Sequence, residues 1–130
     1  MKLDGRVAVV TGATQGVGKG VAWELAQNGA RVFVTSRSLP SDGPIEFGIT
    51  GICCDHAIDA QVEGAFERIL REAGGIDILV NNVWGGYERM IESGAFTWGK
   101  PFWEQPLWRW GAISITGTRA HYHASELAGK

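Results

Sequence analysis

Thr11-Gly12-Ala13-Thr14-Gln15-Gly16-Val17-Gly18 is the segment of this chain whose residue types and spacing most clearly suit chemistry. It follows the Val-rich run Arg6-Val7-Ala8-Val9-Val10-Thr11 and precedes Val17, Val21, Ala22, Leu25 and Ala26, which recur at helical spacing. Glycines at a strand-to-helix turn allow a sharp reversal and let backbone N–H groups approach a ligand closely, and a helix N-terminus stabilises negative charge. Such a turn suits a pyrophosphate. The spacing, Gly-x-x-x-Gly-x-Gly, departs from the general Gly-x-Gly-x-x-Gly dinucleotide form. Close packing of strand on helix is therefore the alternative explanation for these glycines.

Other reactive residues are less organised. Cys53-Cys54-Asp55-His56 sets four metal-ligand types in a row, but neighbouring strand residues point to opposite faces, so a single tetrahedral ion could not gather them and no metal site is expected. With only those two adjacent cysteines no disulfide framework exists, which fits a reducing compartment. His121 and His123 do not share a helix face and read as surface or partner-facing residues.

The elements that position these residues alternate strand and helix. Short apolar runs at Arg6–Thr11, Ala30–Thr35, Ile49–Cys54 and Asp77–Asn81 suit strands buried on both faces. The first helix stops at Asn28-Gly29. The second carries Val62, Ala65, Phe66, Ile69, Leu70 and Ala73 at i, i+3, i+4 spacing, with Asp59 as its N-cap and Gly74-Gly75 as its stop. This pattern predicts parallel βαβ units with helices on both faces of the sheet. Between Ser36 and Gly48, Pro40, Gly43, Pro44 and Gly48 leave room for one helical turn at most. From Trp84 to Trp110 aromatic residues crowd a Gly-interrupted stretch, expected to be a loop packed by its rings. A helix is predicted from about Pro106, with Trp110, Ile113, Gly117, Ala120, Ala124 and Leu127 along one stripe.

Composition narrows the classes. The 130 residues are 45% hydrophobic and 20% charged, enough for one globular domain with a core and too few for two. With 12 Lys and Arg against 14 Asp and Glu, the formal charge of −2 offers no footprint for nucleic acid. No apolar run approaches the 18 or so residues that a membrane span requires, so no membrane association is expected and the chain reads as cytoplasmic. The 19 glycines and 6 tryptophans are the compositional outliers.

Taken together, Thr11-Gly12-x-x-x-Gly16-x-Gly18 after the first strand, Asp55 after the third, and Leu79-Val80-Asn81-Asn82 at the end of the fourth resemble the classical short-chain dehydrogenase/reductase family over roughly residues 3–86. The stretch from Pro101-Phe102-Trp103-Glu104 to His121-Tyr122, ahead of and within the family's fifth helix, is similar to the subgroup around dehydrogenase/reductase member 1. The resemblance implies a Rossmann-like, doubly wound parallel α/β sheet, here partial, with about four strands in the order 3-2-1-4 plus that fifth helix. It implies a nicotinamide dinucleotide held by Thr11, Gly12, Gln15, Gly16, Val17 and Gly18 at the pyrophosphate, Ser36 and Arg37 at the adenosine ribose, Asp55 and His56 at adenine, and Asn81, Asn82 and Val83 toward the nicotinamide. A turn or cap role is the plainer alternative for Asp55. The carboxylate that would bond a ribose 2′-hydroxyl, expected about 20 residues after the glycines, is missing from Thr35-Ser36-Arg37. Arg37 suits a 2′-phosphate, so NADP is expected in preference to NAD.

The family's chemistry is hydride transfer between nicotinamide and a carbonyl or alcohol, with a Tyr acid/base, a Lys at the fourth residue beyond it and a Ser. Tyr87 has Ile91 at that offset and Tyr122 has Glu126. No catalytic residue is therefore assigned. The expected reading is a single Rossmann-like domain over residues 1–130, apparently truncated, an NADP-dependent oxidoreductase by lineage and inactive taken alone. A non-catalytic NADP-binding or assembly-partner protein is the alternative. The parent's carbonyl or alcohol substrate stays open. An oligomer formed through the C-terminal helix and the exposed apolar fourth strand is a further expectation.

Overall fold

A computed structural model describes residues 1–130. Strand β1, Val7–Thr11, is buried along its whole length, as its unbroken apolar character requires. It pairs in parallel with β2, Arg31–Ser36, in the register Val7 to Arg31 through Thr11 to Thr35. Helix α1, Gly16–Gln27, forms the crossover between them and ends at Asn28, with Gly29 at φ 97°. Where the sequence limits the next crossover to one helical turn, the structure has a two-residue strand β3, Gly43–Pro44, and a 3₁₀ turn at Glu46–Gly48. Strand β4, Thr50–Cys53, pairs in parallel with β2 and antiparallel with β3. Helix α2, Asp59–Ala73, then leads to β5, Ile78–Val80, on the other side of β1.

The sheet order is β3-β4-β2-β1-β5. Its four parallel strands stand in the expected 3-2-1-4 order, and β3 is an addition at the outer edge that the Pro- and Gly-rich segment makes by folding back on β4. Alternate residues of each strand feed two cores. Val7, Val9, Phe33 and Ile52 pack with Val62, Phe66 and Ile69 of α2. Ala8, Val10, Val32 and Val34 pack with Ala22 of α1. Strand β5 forms the far edge and is half-buried. Its entry is clasped by Asp77, whose carboxylate accepts the Val7 N–H at 2.8 Å and Arg6 Nη1 at 2.7 Å while its own N–H donates to Val7 O at 2.9 Å.

Three details correct the sequence reading. Asp59 does not cap α2. Ile58 is the cap residue, and Asp59, in the first turn, forms a bidentate pair with Arg119 at 2.6 and 2.7 Å, tying α2 to the C-terminal helix. That pairing holds the Asp59 carboxyl below its ordinary range.

The aromatic stretch, second, is not packed by its rings alone. It contains a 3₁₀ turn at Tyr87–Arg89, a hairpin of β6, Ile91–Glu92, with β7, Ala95–Phe96, and another 3₁₀ turn at Phe102–Glu104. Its interior is organised by the buried Arg109, which donates to Thr97 Oγ1 at 2.8 Å and Arg89 O at 3.2 Å, and to Gln105 Oε1, between the rings of Trp98 and Trp108. Phe96, Phe102, Trp103 and Trp110 lie exposed.

The third correction concerns the last helix. It runs as α3, Leu107–Ser114, a π-helical segment, Ile115–Arg119, and α4, Ala120–Ala128, with Pro106 as the residue before it. The wider π turn shifts the register, so Gly117, Ala120 and Ala124 are buried while Trp110, on the expected stripe, is not. His121 and His123 are half-buried: His121 Nε2–H donates to Val83 O at 2.7 Å, and His123 lies 3.8 Å from both Asp59 and Glu63.

Candidate functional site

All four parallel strands end on the same side of the sheet, and there a cleft of about 380 Å³ opens over the start of α1. In open α/β sheets ligands bind outside these carboxyl ends, where the crossovers diverge to opposite faces. Of the expected site residues, Gly12, Gln15, Gly16, Val17, Gly18, Ser36, Arg37, Asp55, His56, Asn82 and Val83 line the cleft, whereas Thr11 and Asn81 do not.

The glycines of the turn divide by physical role. A Cβ at Gly12, φ 65°, would lie 2.9 Å from Val83 Cα, and one at Gly18 would lie 2.3 Å from Asn82 Nδ2. Both are small because the chain leaving β5 crosses directly over them. Gly16 differs: at φ 58° its missing Cβ would meet open space. The start of α1 has no side-chain cap, since Gln15 makes none. Its first N–H groups face a cleft that nothing in the chain fills, which is the arrangement an anion needs.

Thr11 stands behind this turn as a buried fastener. Its Oγ1 accepts the N–H groups of Asn82 at 3.0 Å and Val83 at 3.1 Å. Asn82 Nδ2 donates in return to Thr11 O and Gly12 O, at 3.0 and 2.9 Å. Asn81 points elsewhere, donating to Ser125 Oγ of α4 at 3.0 Å. The loop after Val83 is pressed onto the C-terminal helix, where a Cβ at Gly85 would stand 2.2 Å from Thr116 Oγ1.

On the opposite wall a second hydrogen-bonded chain ends on an imidazole. Gly12 N–H donates to Thr35 Oγ1 at 3.3 Å, and the same hydroxyl shares a hydrogen bond of 2.8 Å with His56 Nε2. The other ring nitrogen, Nδ1, is buried and has no partner. Burial pushes His56 down to about 4, against the opposing pull of Asp55, and keeps it uncharged at neutral pH. Asp55 does adopt a turn role, accepting the Ala57 N–H on Oδ1 at 2.9 Å, yet it also lines the cleft.

Several cleft residues escaped the sequence reading. Thr14, Ser36 and Ser38 form a triangle of hydroxyls, with Thr14 2.8 Å from Ser36 and 3.0 Å from Ser38, and the two serines 2.9 Å apart. Thr14 sits at a spacer position of the glycine motif, and Ser38 lies one residue past the expected site, so neither carried a spacing signal. Trp84 and Tyr87, stacked with centroids 5.3 Å apart, cover the other end of the cleft. Arg37, the one cationic side chain lining it, meets Glu88 in an ion pair that also escaped notice. That contact holds the Arg37 guanidinium above its ordinary range, and the Glu88 carboxyl stays below its own despite partial burial.

Comparison with known proteins bears on this geometry. Residues 6–105 match the short chain dehydrogenase family. The chain is 36% identical over 131 aligned residues to dehydrogenase/reductase SDR family member 1 of Homo sapiens, an alignment covering 95% of this chain and 41% of the relative. It thus spans well under half the length of that relative. Among solved structures it superposes on a short-chain dehydrogenase/reductase from Serratia marcescens BCRC 10948 with a TM-score of 0.79 and 28% identity, covering 99% of this chain and 53% of the other. A short chain dehydrogenase from Burkholderia cenocepacia J2315, solved in complex with NADP, matches with a TM-score of 0.75 and 27% identity over 99% of this chain and 51% of that one. A glycine turn over an uncapped helix, an Asn-Val segment locked above it and a match across most of the length leave one assignment, and the chain belongs to the short-chain dehydrogenase family.

Proposed function

We propose that this chain binds NADP in the cleft at the strand ends, as the cofactor-holding portion of an oxidoreductase that moves hydride between a nicotinamide and a small carbonyl or alcohol. One observation carries the cofactor choice: three hydroxyls within 3.0 Å of one another stand beside Arg37 at the end of β2, a strand that carries no acid of its own. Hydroxyl donors around a guanidinium suit a phosphate monoester, which a ribose hydroxyl would leave unmatched. NAD, lacking that phosphate, is the weaker ligand.

The N–H groups of Gly16, Val17 and Gly18 would meet the pyrophosphate, and Thr14, Ser36, Arg37 and Ser38 the 2′-phosphate. Asp55 and His56 would border the adenine, with Asn82 and Val83 on the side of the nicotinamide ribose. The bound dinucleotide supplies the hydride donor or acceptor. The residues of this chain orient it and keep a neutral imidazole rather than a competing cation at the floor.

Titration of the chain with NADPH and NADH, followed by quenching of tryptophan fluorescence at Trp84, tests the proposal. Tighter binding of NADPH is expected, and Arg37→Ala should reduce its affinity by about tenfold while leaving NADH nearly unchanged. Absence of any response at millimolar cofactor would overturn it.

A further inference from the structure

Arg37 is engaged in this structure. Its Nη2 meets Glu88 Oε1, and the other carboxylate oxygen, Oε2, accepts the Gly86 N–H at 2.8 Å. Glu88 comes from the 3₁₀ turn after β5, 51 residues along the chain, yet its carboxylate stands beside the end of β2. The acid absent from Thr35-Ser36-Arg37 in sequence is therefore supplied in space by another segment. The pair is half-exposed, at 50% for Arg37 and 41% for Glu88, so solvent screens it and it is weak enough to exchange.

We infer that Glu88 is a cofactor-selecting residue: its carboxylate occupies the guanidinium that a 2′-phosphate would need and restrains the preference for NADP that Arg37 and the hydroxyls create. This rests on the proposed binding of NADP in the cleft. Two effects act in the same direction. A 2′-phosphate carries a charge of about −2 at neutral pH, and it is repelled by a carboxylate already seated on its cationic partner. A ribose 2′-hydroxyl is uncharged and can donate to that carboxylate without displacing it.

Glu88 cannot leave Arg37 independently of its surroundings. Its second oxygen is fastened to Gly86, and its neighbour Tyr87 stacks on Trp84. Exchange of Glu88 for a phosphate thus disturbs the turn that carries the aromatic cover, giving a phosphate-dependent signal at Trp84.

The test uses adenosine 2′,5′-bisphosphate and adenosine 5′-monophosphate as probes, titrated into the chain and its Glu88→Gln variant by calorimetry and tryptophan fluorescence. Glutamine keeps the shape and an acceptor for Gly86 and removes the charge. The bisphosphate should bind the variant on the order of tenfold more tightly, and the monophosphate within about twofold of the parent. Glu88→Ala, which removes both oxygens at a half-exposed site, should shift the ratio of affinities in the same direction. An unchanged ratio in both variants, or an equal gain for both probes, would overturn the selecting role and leave the cleft assignment standing. Failure of the parent chain to bind either probe would overturn both.

Discussion

Replacing Gly18 by alanine tests whether the glycine turn and the segment above it form one packed unit. The added Cβ would fall 2.3 Å from Asn82 Nδ2 and 2.9 Å from Asn82 Cγ, so the carboxamide must move. Moving it breaks the bonds from Nδ2 to Thr11 O and Gly12 O. At about 1 kcal/mol each, with about 1 kcal/mol more for polar groups left unpaired, the loss is about 3 kcal/mol. Alanine returns roughly 0.5–1 kcal/mol through its better helix propensity, giving a net cost of about 2 kcal/mol. For 130 residues, an unfolding entropy of about 2.1 cal/mol/K per residue turns this into a Tm drop of roughly 7 °C.

Asn82→Ala should lose about 2 kcal/mol by removing the same two bonds. The double variant should be about as stable as Asn82→Ala alone, because the obstacle is gone. The 3.0 Å approach to Ala13 Cα limits any further gain. Urea unfolding followed by circular dichroism and tryptophan emission gives the four stabilities of the cycle. If the two single effects add to within about 0.5 kcal/mol, Gly18 and Asn82 are independent and the steric reasoning is refuted.

Two further outcomes follow from buried titratable groups. His56, with its ordinary value of 6.5 lowered to about 4 by burial, takes up its proton in the unfolded chain before it does in the folded one. Stability should therefore be complete above about pH 6.5 and fall as pH drops toward 4, by about 3 kcal/mol. His56→Gln should flatten that limb of a plot of urea midpoint against pH, and a His56 imidazole titrating near 6.5 by NMR would contradict the assignment. Cys54 is buried and its thiol is pushed up to about 12, chiefly by desolvation, whereas Cys53 is exposed. A disulfide reagent at pH 8 should modify one thiol readily and the second only after denaturant is added. Rapid modification of two thiols in the folded chain would show that the β4 exit opens.

The parallel sheet was legible because Val7–Val10 and Val32–Val34 are apolar at consecutive positions, a pattern that a sheet covered on both faces imposes. The glycine turn was legible from its place between strand and helix. What stayed hidden depends on contacts between distant segments. No local signal announces that Glu88 reaches Arg37, or that Arg109 is buried beneath Trp98 and Trp108. The stripe through Trp110 failed because one π turn changes which residues share a face, and the sequence periodicity presumed an unbroken α-helix. Ser93 and Gly94, both at positive φ, turn the β6–β7 hairpin, but strands of two residues have no periodicity to read.

The pairing of β5 with β1 closes a long loop of chain. Thr11 receives Asn82 and Val83 from 71 and 72 residues along the chain, while its sheet partner Thr35 is much nearer. Closing the longer loop costs more chain entropy. The roof of the cleft is thus held by contacts of long sequence separation, the Asp77 clasp on Val7 among them. A dinucleotide that binds only the docked form would favour completion of folding by about 2.7 kcal/mol at a concentration a hundredfold above its Kd. Cofactor supply would then govern how much of this chain is held in its finished state, independently of any turnover.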